Sequence, residues 1–384
     1  MARIWQNGFE IPYYRYTGNE AKTIPLDGYT LTASMSAIYP PFYGFENTPR
    51  TNGKGSYCFS CGTRSIQGYN GAVECYSSFS TELSELYVRF YFKVENSFVS
   101  TRENQIFKIV DNSSNSLLYL KITMNVDKTY VLKVYNSSNT LLYTTELISN
   151  STWSKFDIHL KIATDGLIEF KTNDKLNFSW NGDTKGSYGL AKKFYFGRLV
   201  KDNNVRDETY KLSFDDFAIN DTSGTTNNGW CGNGSIVALP PISNGSLVEF
   251  TPSTGSNWQN VDEITVSDED ETYNAIVGAE KTDLFKIKKL SDLSVADTTN
   301  INAVSIVANA RFDESSSAIA PVIKGTNITE GNKTTILGSY TSYVLGIYNV
   351  NPETSTTFTS KNLADLEFGY RSKEWWMLEY RNIS

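Results

Sequence analysis

Residues 83–98 read Leu-Ser-Glu-Leu-Tyr-Val-Arg-Phe-Tyr-Phe-Lys-Val-Glu-Asn-Ser-Phe, with apolar Leu86, Val88, Phe90, Phe92 and Val94 at every second position. A helix would scatter these side chains around its circumference, whereas a strand puts all five on one face. The pattern repeats over 105–110, 117–124, 130–135, 140–147 and 153–163, then over 167–172, 175–180, 193–199 and 211–219. Between these segments lie Asn/Ser/Asp clusters at 111–116, 125–128 and 136–139, an Asp165-Gly166 pair and an Asn173-Asp174 pair. Their side chains hydrogen-bond nearby backbone and tolerate the dihedrals of tight turns. Strands recurring roughly every 10–14 residues with short polar turns predict an antiparallel sandwich. Composition agrees: 24 Tyr and 21 Phe against 4 Met suit pleated surfaces more than helices. No amphipathic helix of convincing length falls within 1–220, and residues 1–80 read as extended but irregular.

The 384 residues contain a single histidine, His159. A His-rich zinc site is excluded, and any Ser-His-Asp or Cys-His site would have to use that residue. Neither a Walker A pattern nor a G-x-S-x-G elbow occurs. A net charge of −7 argues against a general nucleic-acid binder. Cys58 and Cys61 have metal or redox spacing, but no second C-x-x-C completes a zinc tetrahedron, so Cys58, Cys61, Cys75 and Cys231 read as small buried thiols. The opening residues have no apolar signal core and no apolar run reaches 18 residues, so the expectations are synthesis in a cytoplasm and no membrane insertion.

Residues 221–234 hold four Gly and no aliphatic side chain. The expected organisation is therefore a β-sandwich over 1–222, a linker at 223–234 and a smaller β-rich module over 235–384. In that module 302–311, 318–324, 334–339 and 343–348 read as strands, and 363–368 as a short helical turn.

Trp153 opening a strand, the Asp165-Gly166 hairpin and the strand Phe214-Asp215-Asp216-Phe217 resemble concanavalin A-like, or laminin-G-like, jelly rolls. Trp5-Gln6-Asn7-Gly8-Phe9-Glu10 is similar to the first strand of that fold, which pairs with the last. A second stretch, Leu239-Pro240-Pro241-Ile242-Ser243-Asn244-Gly245 followed by Phe250-Thr251-Pro252-Ser253-Thr254-Gly255-Ser256-Asn257-Trp258 and Asn260-Val261-Asp262-Glu263, resembles a C-terminal module of tailed-bacteriophage virion proteins. It departs from that pattern in lacking the Gly/Asp-rich run at the turn. The fold class implied is all-β: a concanavalin A-like jelly-roll sandwich plus a smaller β-rich C-terminal domain.

Trp180, Asn181, Asp183 and Tyr188 are candidate glycan contacts, joining flat rings to amide and carboxylate partners. Asp215 and Asp216 are candidate calcium ligands, although alternation along a strand would point them to opposite faces. By the same parity His159 joins Asp157 and Lys161 on the solvated face. The acidic stretch 268–271 reads as a solvated loop, and Trp375-Trp376 as a core seal or docking surface. No E-x-D-x-x-E pair and no Q-x-H motif occurs, so the expectation is no enzyme and no required cofactor. The implied function is a structural component of a tailed-phage particle, an exterior tail, collar or fibre-associated protein. Its expected partners are other virion proteins, further copies of the chain and host surface glycans, with no nucleic acid. The alternatives are a lectin-like adhesin and a polysaccharide-degrading enzyme.

Overall fold

At the middle of the first sheet, the Glu85–Asn96 strand points Leu86, Val88, Phe90, Phe92 and Val94 inward, each at most 1% exposed. This central strand lies between Ser154–Lys161 and Glu208–Asp221 in a nine-stranded sheet. Beyond Ser154–Lys161 come the hairpin strands Gly166–Thr172 and Lys175–Gly182; beyond Glu208–Asp221 come Cys58–Ser65, Phe42–Glu46 and Arg15–Tyr16. Arg3–Asn7 also pairs with Glu208–Asp221, Trp5 opposite Ile219, so the expected union of first and last strands is present. The computed structural model describes residues 2–9, 15–16, 22–26, 29–34, 42–46, 50, 58–65, 72–96, 103–199, 208–263, 271–276, 280–312 and 317–373.

The second nine-stranded sheet runs Leu141–Thr144, Thr129–Asn136, Ser116–Met124, Glu103–Val110, Ala191–Arg198, Ala72–Leu83, Tyr29–Ser34 and Lys22–Leu26, with Ile148–Ser149 beside Thr129–Asn136. One continuous core joins the two sheets, which form a jelly-roll sandwich. Its centre is aromatic: Phe90 meets Phe107, Phe156, Phe214 and Phe217 with ring centroids 5.2–6.1 Å apart. Burying each such side chain contributes about 1.5–3 kcal/mol.

The polar clusters make the expected turns. Asp111 accepts from the backbone N–H groups of Ser113, Asn115 and Gly189 and from the Asn115 amide. Asn173 and Asp174 adopt left-handed φ of 49° and 70°, as a two-residue hairpin requires. Cys58 and Cys61 share a strand at i and i+3, hence opposite faces; Cys61 lies in the core, and all four thiols are buried and unbridged.

The chain divides into two units, Met1–Ala238 and Leu239–Ser384. Residues 223–234, expected as a linker, thus belong to the first unit. The second is also β-rich. Its largest sheet orders Pro241–Val248, Thr282–Ile287, Glu367–Lys373, Ser317–Lys324 and Ile328–Glu330, with Thr334–Ile336 beside Ser317–Lys324. The helical turn expected at 363–368 lies at Ser360–Ala364, capped by Thr359, while Glu367–Lys373 is a strand. Completely buried Asp283 accepts hydrogen bonds from Glu249 N, Phe250 N and Asn257 Nδ2, tying the Phe250–Trp258 stretch to the sheet. Trp375, Trp376 and residues 268–270 of the acidic loop lie outside the described residues.

Candidate functional site

The outward-facing residues of the first sheet come into line through strand register. One row is Glu169, His159, Tyr87 and Asn220; the next is Lys171, Asp157, Arg89 and Ala218. Each row crosses four neighbouring strands, so side chains far apart in sequence stand next to each other.

In the first row His159 stacks on Tyr87 at 4.1 Å and 11°. Its Nδ1 lies 2.8 Å from Glu169 Oε2 and its Nε2 lies 2.7 Å from Glu85 Oε1. The ring thus stands between the two carboxylates and holds them in place. Burial, then the charges of Glu85 and Glu169, push the Tyr87 phenol above its ordinary range, and its hydroxyl bonds to Glu85. Trp230 meets both rings edge-on, at 5.4 Å from Tyr87 and 5.8 Å from His159, and Lys171 Nζ lies 3.6 Å from the Trp230 ring centre.

Trp230 belongs to a strap over residues 229–236 that lies on this face. Asn220 Nδ2 donates to Gly229 O, Arg89 Nη1 to Gly232 O, and Lys155 Nζ to Asn233 Oδ1. Arg50 Nη2 donates to Gly234 O and Ser235 Oγ, and Ile236 N donates to Asp216 Oδ1. This explains why polar sequence failed as a linker signal: its backbone groups are taken up by fixed cations and a carboxylate. The same strap corrects the reading of His159, which is 6% exposed although it stands on the outward face.

In the second row Asp157 is 1% exposed and neither carboxylate oxygen has a hydrogen-bond partner. Lys155 Nζ lies 3.2 Å from Oδ2 as an ion pair. Burial pushes the Asp157 carboxyl above the usual carboxylate range, and Lys155 and Arg89 offset it in part.

Asp215 and Asp216 do not point to opposite faces. Pairing with the central strand jumps from Asp215–Tyr91 to Ala218–Arg89, a bulge of one extra residue, with Asp216 at φ 47°. Both carboxylates turn to Arg50: Asp215 Oδ2 accepts from its backbone N–H, and Asp216 Oδ2 from Nε and Nη2 at 3.1 and 2.9 Å. The arginine and Ile236 N take the places that a calcium ion would need. Among the described residues no group of three or more His, Cys, Asp or Glu is placed to hold a metal ion.

The predicted glycan residues stand at one edge of the sheet and have other partners. Trp180 and Tyr188 pack, half-buried, against the core. Asp183 Oδ1 accepts from Lys185 N and Gly186 N in a local turn, and Asn181 is exposed. The cluster of Glu85, Tyr87, His159, Glu169, Lys171 and Trp230 was missed because its members are dispersed over 146 positions, and only strand parity and register unite them.

No protein-family model and no curated protein matches the chain. Solved structures do. An endo-β-1,4-glucuronan lyase from the fungus Trichoderma reesei is 11% identical, with 57% of this chain and 95% of that chain covered at a TM-score of 0.37. An alginate lyase solved with an alginate trisaccharide is 10% identical over 42% of this chain and 83% of its own, TM-score 0.34. A conserved carbohydrate esterase of Shiga toxin-encoding bacteriophage phi24B is 12% identical over 50% and 89%, TM-score 0.33. At such identities the likeness concerns the fold alone. The expectation that the chain is no enzyme does not hold against these matches, which include lyases and an esterase.

Proposed function

We propose that the chain is a carbohydrate-binding protein, and that it serves as an exterior component of a tailed-phage particle acting in host attachment. The observation that carries the binding reading is the His159-centred cluster. It holds two partly exposed carboxylates, Glu85 and Glu169, beside the half-buried rings of Tyr87 and Trp230. Flat rings offer apolar faces to the C–H side of a sugar, while fixed carboxylates and Lys171 exchange hydrogen bonds with its hydroxyls. The virion reading is supported by the resemblance of residues 239–263 and carries with it symmetric homo-oligomers and virion neighbours.

The test is a host-glycan array probed with the full chain and with Trp230→Ala and Glu169→Gln. Retention by the wild type that falls at least tenfold in both variants, with melting unchanged, is the expected result. An array that retains nothing, or variants that bind like the parent, would overturn it. Proteomics of phage particles tests the virion assignment separately.

A second reading, a polysaccharide-degrading enzyme, is favoured by one observation: a phenol, an imidazole and two carboxylates meet on this face, the residue types used in general acid–base catalysis. Release of new chain ends from a retained glycan, abolished by Glu85→Gln, would establish it.

A further inference from the structure

The outward face of the second sheet carries a different construction. Tyr135, Tyr119, Lys108, Tyr195 and Tyr76 lie on five consecutive strands and are direct register partners: Tyr135 with Tyr119, Tyr119 with Lys108, Lys108 with Tyr195, and Tyr195 with Tyr76. Their chain neighbours Val134, Leu118, Leu120, Phe107, Ile109, Phe194, Phe196 and Cys75 all point into the core, so the five side chains share the outer face. With strands about 4.8 Å apart, the ladder is about 19 Å long and crosses the sheet at right angles to the strands.

Each member is braced by the next. Tyr135 and Tyr119 stack at 4.8 Å and 4°, and Tyr195 and Tyr76 lie 5.4 Å apart at 33°. Lys108 Nζ sits 4.3 Å from the Tyr195 ring centre and Lys121 Nζ 4.7 Å from that of Tyr135. Lys121 and Lys133 share the single carboxylate of Glu103, at 3.2 and 2.5 Å. Lys108 has no carboxylate within ion-pair distance among the described residues. Among the described residues flanking the ladder, Lys108, Lys121, Lys133 and Lys193 stand against Glu74 and Glu103, with Glu82 further along the Tyr76 strand.

We infer that this ladder is a second binding surface, separate from the His159 cluster, and that its occupant is an extended acidic polysaccharide laid across the strands. The row contains no aliphatic side chain, unlike the apolar centre of a protein interface. Tyr119 and Tyr135 are 7% and 8% exposed, with their hydroxyls held by Asn139 and Glu103, so a ligand meets the half-buried Lys108, Tyr195 and Tyr76, whose rings and ammonium group are pre-ordered in a line. These suit a linear ligand with hydroxyls along its length and carboxylates at intervals. The surplus of lysine favours the acidic polymer over a neutral one through charge complementarity.

Affinity electrophoresis of the full chain in gels containing polygalacturonate or dextran tests the inference. The expected result is retardation by polygalacturonate but not dextran, weakened at least fivefold by Lys108→Glu and at least tenfold by Tyr76→Ala/Tyr195→Ala, and unchanged in Trp230→Ala. Lys108, Tyr76 and Tyr195 are only half-buried, and a melting curve for each variant confirms folding; Lys108→Ala provides the mildest substitution. Absence of retardation, equal retardation by both polymers, or folded ladder variants that migrate like the wild type would overturn it. Loss in Trp230→Ala alone would move the polymer to the His159 cluster and likewise end the proposal for this face.

Discussion

The two units fill their interiors by different means. The sandwich does so with rings: Phe90, Phe107, Phe156, Phe214 and Phe217 meet at its centre. The second unit places a carboxylate at its heart, with Asp283 completely buried and tied to two backbone N–H groups and an asparagine. An apolar core is divided among many contacts, so each loss is large but local. A polar hub concentrates satisfaction in one side chain, and its loss leaves several donors buried without partners.

The largest expected effect is on the apolar side. Phe90→Ala should destabilise the sandwich by about 3–5 kcal/mol, since a ring surrounded by other rings leaves a cavity that cannot collapse easily. Urea unfolding measures it, and a cost below about 1 kcal/mol would mean that the core yields at its centre. Next is the hub: Asp283→Ala should cost about 2–4 kcal/mol. Hydrogen exchange should then rise in Thr282–Ile287 and Glu367–Lys373 while the central strand stays protected; equal loss in both would contradict separate interiors. Arg50→Ala comes third, at about 1–3 kcal/mol. It leaves the Asp216 carboxylate short of its main partner and frees two anchor points of the strap, so limited proteolysis within 229–236 should accelerate.

The smallest effect compares two carboxylates within the sandwich. Burial works against ionised Asp111, but the Asn115 amide and the N–H groups of Gly189, Asn115 and Ser113 outweigh it and hold its carboxyl below the ordinary range. Its stabilisation is therefore present above the unfolded pKa and is lost as the pH falls through the lower, folded one. Asp157 is shifted upward, so it favours the folded state only when protonated, and this contribution disappears as pH rises through its folded value. Melting curves from pH 3 to 7 should show Asp111→Asn destabilised chiefly at the upper end and Asp157→Asn stabilised there. The same sign for both would refute the contrast.

The apolar interior was legible in the sequence because alternation at Leu86–Val94 is a local signal, as are the Asn/Ser/Asp turns. The pairing of Trp5 with Ile219 was legible only through resemblance. The strap was not: its composition reads as a linker, and its partners Arg50, Arg89 and Lys155 lie 78 to 185 positions away. Strand parity alone put His159 in solvent, because parity assigns a face and does not say what covers it. The bulge at Asp215 and Asp216 was hidden for a simpler reason. No glycine marks it; an aspartate itself takes the left-handed backbone.

The union of Arg3–Asn7 with Glu208–Asp221 also bears on how the chain acquires its shape. Contacts this distant in sequence delay folding, because a long loop must close before they repay its entropy. During synthesis the first strand therefore waits, unpaired along that edge, until more than 200 further residues have left the ribosome. For that interval it is an open template for other strands.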